Sequence, residues 1–433
     1  MRSESKTGCT FQVNKREYQP IYSDPVQEDL AIAHVRRRPE IVDAASVERL
    51  RSHMAAAGRG EAFIIQGGDC AETFADATRS HTKAKIGTLR QIACVIAESA
   101  GVTPVMIGRI AGQYAKPRTN DTETRGGVTF PSYRGDAVNS HVFTAQARTP
   151  DPQRLVRAAE TAAETYRHIT DLRAQGFFSS ACASQWNNAA FGSEEYERFC
   201  ALVQAPASRT QREYAVEPFI SHEALLLRYE EAFTRTAHTA PHGRVNTSAH
   251  MVWVGERTRG LDTAHVAYLA SIDNPVGIKL GPAASADDVR GLLAHVNPDN
   301  IPGRLVFIPR FGAQLIGEKL PELMRVVADS GCPVTWVLDP MHGNSTVSCG
   351  RKVRYVADIE DEIRQFFAIC ARTGTVPGGL HIEFSEENVC EIIDGAMSDV
   401  AVRSTDESLV DPRLNPQQVL RIAFLTADLL TRG

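Results

Sequence analysis

Six cations and four metal-capable side chains stand out because most of them fall in, or directly after, short apolar runs that read as β-strands. The cations are Arg109, Lys116, Arg118, Arg257, Lys279 and Arg310. Any one of them alone could be a surface ion pair. Converging on one mouth, however, they would repel one another unless an anion joined them. Arginine offers a planar fork to phosphate or carboxylate, and lysine a point charge. A phosphate monoester carries roughly −1.5 to −2 near neutral pH, so this set suits a multiply anionic substrate, or two substrates. The second group is Cys70, His342, Glu383 and Asp411: a thiolate donor, an imidazole and two carboxylates, far apart in the chain. Mixed sulfur, nitrogen and oxygen donors suit a first-row divalent ion such as Mn²⁺, Fe²⁺, Co²⁺ or Zn²⁺ without choosing among them. A lone buried Cys or His is more often core than ligand, so this pattern needs a fold that brings the four together.

The elements that could do so recur from residue 61 onward. Eight runs rich in Val and Ile are expected as strands: Ala62–Gln66, Val102–Ile107, Phe219–Leu227, Ser248–Val254, Val276–Leu280, Leu305–Ile308, Val334–Leu338 and Leu380–Phe384. The segments between them are mostly helical in pattern. Strands alternating with helices imply a parallel sheet, and eight such units point to an α/β fold of the (β/α)₈ TIM-barrel type. In that fold the chemistry sits at the C-terminal ends of the strands, where Gly67-Gly68-Asp69-Cys70, Arg109, Glu256-Arg257, Lys279, Arg310, His342 and Glu383 fall. The stretch between the second and third runs is too long for one crossover. Extra helices are expected after strand 2, within about residues 150–218, for example Pro152–Gln175 and Ser193–Val203. Residues 1–60 read as an N-terminal extension packing on the catalytic barrel of residues 61–433, with a helix at Ser46–Ala57. Asn415, Pro416 and Gln418 read as N-cap, first-turn proline and capping-box partner of a final helix.

Composition excludes several function classes. The 433-residue chain is 43% hydrophobic with a formal net charge of −5, which argues against nucleic-acid binding. Its nine cysteines are scattered without a CxxC pair, so neither a zinc ribbon nor a thioredoxin-like motif is suggested. Polar residues follow Met1, and nothing approaches the roughly 18 apolar residues of a membrane span. A cytoplasmic enzyme without disulfides is expected.

At these positions the sequence resembles the type II DAHP (3-deoxy-D-arabino-heptulosonate 7-phosphate) synthase family. The resemblance is carried by Gln66-Gly-Gly-Asp-Cys-Ala-Glu72, Arg109-Ile-Ala-Gly-Gln-Tyr-Ala-Lys-Pro-Arg118, Tyr133-Arg-Gly-Asp136 and Ser221-His-Glu-Ala224. It continues through Trp253-Val-Gly-Glu-Arg-Thr-Arg259, Asn274-Pro-Val-Gly-Ile-Lys279, Asp339-Pro-Met-His-Gly-Asn344, Gly378-Gly-Leu-His-Ile-Glu383 and Asp411-Pro-Arg-Leu-Asn415. The resemblance implies a divalent metal, Mn²⁺ by preference with Co²⁺, Zn²⁺ or Fe²⁺ as alternatives, on Cys70, His342, Glu383 and Asp411. It implies phosphoenolpyruvate on Arg109, Glu256, Arg257, Lys279 and Arg310, and sugar phosphate on Lys116, Arg118 and Thr119, where the family usually has Ser. Lys116, Glu256 and Arg257 would be the catalytic groups. The implied reaction opens the shikimate pathway: carbon 3 of phosphoenolpyruvate attacks the metal-polarised aldehyde of erythrose 4-phosphate, water adds at carbon 2, and phosphate leaves. A homodimer or homotetramer is implied as well.

Four departures from the family pattern remain. Ser385-Glu386-Glu387-Asn388 stands for Thr-Gly-Glu-Asn, Arg310-Phe311-Gly312 for Arg-Met-Gly, and Leu338 and Val410 replace cysteines. Glu386 and Phe311 are expected near enough to the pocket to alter which aldehyde is accepted, so an amino-DAHP synthase using an imino or amino sugar phosphate is the nearest rival. A barrel without catalysis, acting as a regulatory partner, would have lost a donor or a phosphate-site cation, and none is missing. Ser221-His222-Glu223 is not a nucleophilic relay, because neighbouring strand residues point to opposite faces.

Overall fold

The eight expected runs form eight parallel strands that close into one barrel. They are β1 (Ala62–Gly68), β2 (Thr103–Arg109), β3 (Phe219–Glu223), β4 (Met251–Val254), β5 (Val276–Leu280), β6 (Leu305–Pro309), β7 (Val334–Leu338) and β8 (Pro377–Glu383). Each pairs with its sequence neighbours, and β1 closes the ring on β8. The computed structural model describes residues 18–118, 120–205, 217–237, 243–348, 351–395, 409 and 411–432. Within these, no helix is long and apolar enough to cross a membrane.

Register sets the level of the site. Gly68 at the end of β1 lies opposite both Arg109 of β2 and Glu383 of β8. Its φ is +149°, and a Cβ there would sit 2.6 Å from the Arg109 carbonyl oxygen, so the close approach requires glycine. Cys70 follows two residues later and therefore emerges beside Arg109 and Glu383.

Two of the strands are shorter than the apolar runs suggest. β3 ends at Glu223, and Leu227–Phe233 is a helix whose Tyr229, Glu230, Ala232 and Phe233 are buried. A short run of leucines fits either element, and the turn at Leu225 decides for a helix here. β4 begins at Met251 because the Asn274 carboxamide takes the Ala249 and His250 carbonyls that a longer ladder would have used.

Ahead of β1 stand the helices Pro25–Arg36 and Ala44–Gly58, the second expected from sequence and the first not. Asp24 and Asp43 cap them through their carboxylates. Leu50, Met54 and Ala57 of the second helix join Ala62, Ile64, Val105, Ile107, Phe219, Met251, Val306, Ile308 and Val337 in one apolar cluster. That cluster is the lower barrel interior, so this helix stoppers the end opposite the strand C-termini. The Thr335 hydroxyl on β7 donates to the Met54 carbonyl at 2.9 Å and fixes the stopper's depth.

Between β2 and β3 lie a hairpin (Thr122–Arg125 with Val128–Pro131) and the helices Gln153–Ala174 and Glu194–Gln204. A second hairpin, Thr346–Ser348 with Arg351–Val353, follows β7. The final helix, Pro416–Arg432, opens with Asn415 and Gln418 each accepting from the other's backbone N–H, as the sequence indicates.

Leu50 is fully buried beneath the barrel. Leu50→Ala is expected to cost about 2–5 kcal/mol of stability, read as a lowered urea midpoint. A shift below about 1 kcal/mol would mean that the stopper helix collapses readily around the missing atoms.

Candidate active site

The strand C-termini open onto a cavity of about 770 Å³. Its walls include Cys70, Arg109, Lys116, Arg118, Glu256, Arg257, Lys279, Arg310, His342, Glu383 and Asp411, so these candidates share one chamber. Thr119 lies outside the described residues. Glu386 and Phe311 do not line the chamber, which corrects the expectation that they shape it. Glu386 is buried behind the wall, its carboxylate 2.6 Å from His81 Nδ1 and 3.9 Å from Lys85. Phe311 is buried in the core. His222 also turns away, 2.9 Å from Glu230, while Ser221 points into the barrel, so the two form no relay.

Cys70, His342, Glu383 and Asp411 bring one donor atom each to within 4.8 Å of the others. His342 Nε2 lies 3.2 Å from Glu383 Oε1 and 4.0 Å from Asp411 Oδ2, and Cys70 Sγ lies 3.4 Å from Asp411 Oδ2. Donors about 2.0–2.3 Å from one ion at tetrahedral angles lie roughly 3.3–3.8 Å apart. The separations of 3.2–4.0 Å straddle that range, so the four donors are close enough to share one divalent ion after a small rearrangement. Asp339 supports this by accepting from His342 Nδ1 at 2.7 Å, which fixes the tautomer that leaves Nε2 as the donor. Arg354, fully buried, donates to Glu383 Oε2 at 2.8 Å and to the Pro412 carbonyl, tying the β8 carboxylate to the segment that carries Asp411.

Charge at these donors is balanced by neighbours. Burial pushes the Glu383 carboxyl up, but His342, Arg354 and Arg109 outweigh it and hold it well below the usual range. Burial, with Glu383 second, pushes the Cys70 thiol up to about 12, so its thiolate needs a cation beside it. Lys116 Nζ stands there, 2.6 Å from Cys70 Sγ and 2.5 Å from Asp411 Oδ2. Lys352 of the second hairpin pairs with the other Asp411 oxygen.

Arg109 is held from below by a polar layer inside the barrel. It donates to the Asp69 and Cys70 carbonyls at 3.1 Å each, and to His381 Nε2 at 2.6 Å. A guanidinium only donates, so His381 Nε2 must accept and Nδ1 must carry the proton. That proton goes to Gln66 Oε1 at 2.8 Å; the Gln66 amide donates to Ser221, and Ser221 to the Gly108 carbonyl. Burial first, then Lys279 and Arg109, hold the His381 pKa well below the usual histidine range, which keeps the ring neutral as this chain requires. Lys279 is paired with Asp339 at 2.7 Å.

The loops are fixed by carboxylates that grip backbone amides. Glu72 accepts from the N–H groups of Ala111, Gly112 and Gln113 at 3.0, 2.9 and 2.8 Å. This tie holds the Arg109–Arg118 loop against the Cys70 loop, with Ala111 at φ +64°. Glu256 likewise accepts from Gly281 N–H at 2.6 Å.

Several functional neighbours carried no sequence signal of their own. Arg354 and Lys352 are ordinary charges until the fold places them, and Asp339 stands in the motif of residues 339–344 without a role implied for it. Glu223 lines the chamber at the end of β3, and its Oε1 is a buried oxygen without a hydrogen-bond partner. Its strand-end position was the available clue. Altogether Arg109, Lys116, Arg118, Arg257, Lys279, Arg310 and Lys352 face Glu123, Glu223, Glu256, Glu383 and Asp411 in the chamber. The cations outnumber the carboxylates among these lining residues, a charge balance that suits anions.

The sequence pattern of the Class-II DAHP synthetase family matches residues 7–427. The chain is 40% identical to the phospho-2-dehydro-3-deoxyheptonate aldolase of Streptomyces coelicolor (strain ATCC BAA-471 / A3(2) / M145), over 99% of this chain and 98% of that protein. It is 39% identical to phospho-2-dehydro-3-deoxyheptonate aldolase AroG of Mycolicibacterium smegmatis (strain ATCC 700084 / mc(2)155), over 90% of this chain and 88% of that protein.

A donor set of this kind should stabilise the fold when loaded. Chelator-stripped protein given Mn²⁺ at a free concentration 100 times its Kd is expected to gain about 2.7 kcal/mol of unfolding free energy. Cys70→Ala at the same Mn²⁺ concentration should gain far less. An equal gain would remove Cys70 from the donor set.

Proposed function

The chain belongs to the class-II DAHP synthetase family and is a transferase of the DAHP synthase kind, and from that premise we propose that it condenses phosphoenolpyruvate with erythrose 4-phosphate to give DAHP and phosphate. One observation carries the reading: a four-donor metal cluster and a surplus of cations line the same chamber. Phosphoenolpyruvate, with its carboxylate and phosphate, suits Arg109, Arg257, Lys279 and Arg310, with Glu256 holding the Gly281 amide beside them. The aldose phosphate suits Lys116, Arg118 and the Thr119 hydroxyl. A divalent ion on Cys70, His342, Glu383 and Asp411 would supply Lewis acidity toward the aldehyde oxygen, with Mn²⁺ proposed first and Co²⁺, Zn²⁺ or Fe²⁺ as substitutes.

The chain's own groups do the rest. Arg109 and Lys279 are immobilised by buried partners before substrate arrives, so little reorganisation opposes binding and charge shift. Carbon 3 of phosphoenolpyruvate bonds to the aldehyde carbon, water adds at carbon 2, and the carbon–oxygen bond to phosphate then breaks. The adding water must lose a proton. Glu256 Oε2 is already engaged by Gly281 N–H and lies 3.1 Å from Arg259 Nε, whereas Glu223 Oε1 is buried without a hydrogen-bond partner among the described residues. Burial raises the Glu223 pKa, with Lys279 and Arg109 opposing, which makes it a better base than an exposed carboxylate. Glu223 therefore joins Lys116, Glu256 and Arg257 among the proposed catalytic groups. A cytoplasmic homodimer or homotetramer is part of the same proposal, and the exposed apolar residues Ile21, Val26 and Leu30 offer a face for self-association.

The test is loss of enol absorbance together with phosphate release, in stripped enzyme given back Mn²⁺ or Co²⁺. Consumption should require both substrates and the ion, and should vanish in Cys70→Ala. Glu223→Gln should lower kcat about 10²-fold or more and leave KM for phosphoenolpyruvate nearly unchanged. Turnover without an aldose phosphate, or with no ion, would defeat the proposal.

A further inference from the structure

Glu362 lies on the helix Val356–Thr373 in the outer layer, is fully buried, and does not line the chamber. A buried carboxylate is expensive unless paired, and the charged group acting on it most strongly is another anion, Asp339, which adds to the cost. Burial pushes its pKa up to about 8 even with N–H donors present. Those donors are two backbone amides and a carboxamide. Oε1 accepts from Phe311 N–H at 3.1 Å and from Gly312 N–H at 2.7 Å, and Oε2 accepts from Asn344 Nδ2 at 2.7 Å. Asn344 Oδ1 in turn accepts from Ala313 N–H at 2.9 Å, which fixes which way its amide faces.

The ends of this network are informative. Phe311, Gly312 and Ala313 follow Arg310, and Asn344 follows His342 by two residues. Arg310 Nη2 donates to the His342 carbonyl at 2.8 Å. Between the two loops the backbones of Gly312 and Gly343 touch, leaving no room for a Cβ on either: one at Gly312 would lie 2.7 Å from the Gly343 oxygen, and one at Gly343 2.1 Å from the Gly312 nitrogen. The β6 and β7 loops thus meet in one place, and a single carboxylate grips both.

We propose that Glu362, through Asn344, is a positioning residue that fixes Arg310 relative to His342, so that the anion-binding cation and the metal-site imidazole are set by one brace. The roles assigned to Arg310 and His342 rest on the function proposed above; the brace itself does not.

The test uses Glu362→Gln, Asn344→Asp and the double variant, each assayed for phosphoenolpyruvate binding by calorimetry and Mn²⁺ binding by the free-ion EPR signal, with a urea midpoint for stability. Glu362→Gln sets a new NH₂ against the Asn344 NH₂, and both affinities are expected to fall about tenfold. Asn344→Asp sets two carboxylates face to face and should do more harm, or fail to fold. In the double variant the new carboxamide on the helix can donate to the new carboxylate on the β7 loop, whose other oxygen still accepts from Ala313 N–H. The Pro340 carbonyl, which takes Asn344 Nδ2 at 2.9 Å, loses its donor in both variants that change Asn344. The double variant's affinities should exceed those of either single variant by about threefold or more without reaching wild type, a coupling that independent sites do not show. If both affinities stay at wild-type values while only the midpoint falls, or if the double variant binds no better than Glu362→Gln, the brace is wrong. Wild-type protein that binds Mn²⁺ but not phosphoenolpyruvate would instead defeat the functional proposal, and the Mn²⁺ measurements would still decide the brace.

Discussion

Charges brought out of water at the mouth of the barrel must be paired, and most of the chamber's architecture follows from that requirement. A buried charge left alone costs several kcal/mol, yet Arg109, Lys116, Lys279 and Arg354 are all largely withdrawn from solvent. Each lies against a carboxylate: Glu383 for Arg109 and Arg354, Asp411 for Lys116, and Asp339 for Lys279. Glu383 and Asp411 are also proposed metal donors. Arg109 and Lys116, two of the cations that make this cluster of donors tolerable, also line the chamber and are proposed to bind anions, so the two halves of the chamber are coupled.

Pairing alone would not fix geometry to the level that the proposed condensation of two anions needs, and the backbone supplies the rest. Glu72, Glu256 and Glu362 each accept from amides of a neighbouring loop. A carboxylate can serve two or three donors at once, so each one welds together loops that belong to different strands. Below them the neutral His381, Gln66 and Ser221 pass hydrogen bonds in one direction down to the Gly108 carbonyl. A charged histidine at that position would place a second donor against Arg109, so the low pKa imposed by burial is part of how the guanidinium is aimed.

What could be read from the sequence follows the same physics. The eight Val- and Ile-rich runs were legible because buried parallel strands need continuous apolar character, and the donors were legible because barrel chemistry gathers at strand ends. The helix Pro25–Arg36 escapes such a reading although Asp24 and Pro25 mark its start: only Ala31, Ile32 and Val35 are buried, while Val26 and Leu30 face out, so its periodicity is blurred. The hairpins that follow β2 and β7 are short and mostly exposed, and Lys352 is hidden with the second of them. Arg354 takes its importance from partners distant in sequence, Glu383 and Pro412, which spacing does not reveal.

The positions of Glu386 and Phe311 are instructive in the same way. A departure from a family pattern next to a site residue invites a reading in terms of substrate choice, because strand-end loops face the chamber. Here alternate residues of those loops face backward instead. Glu386 meets His81 and Lys85, and Lys85 also pairs with Asp69, whose other oxygen holds Arg413. A glycine in place of Glu386 would leave Lys85 with the carboxylates of Asp69 and Glu72, so Glu386 adds a third counter-charge to a buried cluster that already supports the Cys70 loop. Phe311 fills core space while its N–H remains in the grip of Glu362, a bond that any non-proline residue could make. Both substitutions therefore fall on the supporting side of the loops, where charge balance and volume decide what is allowed.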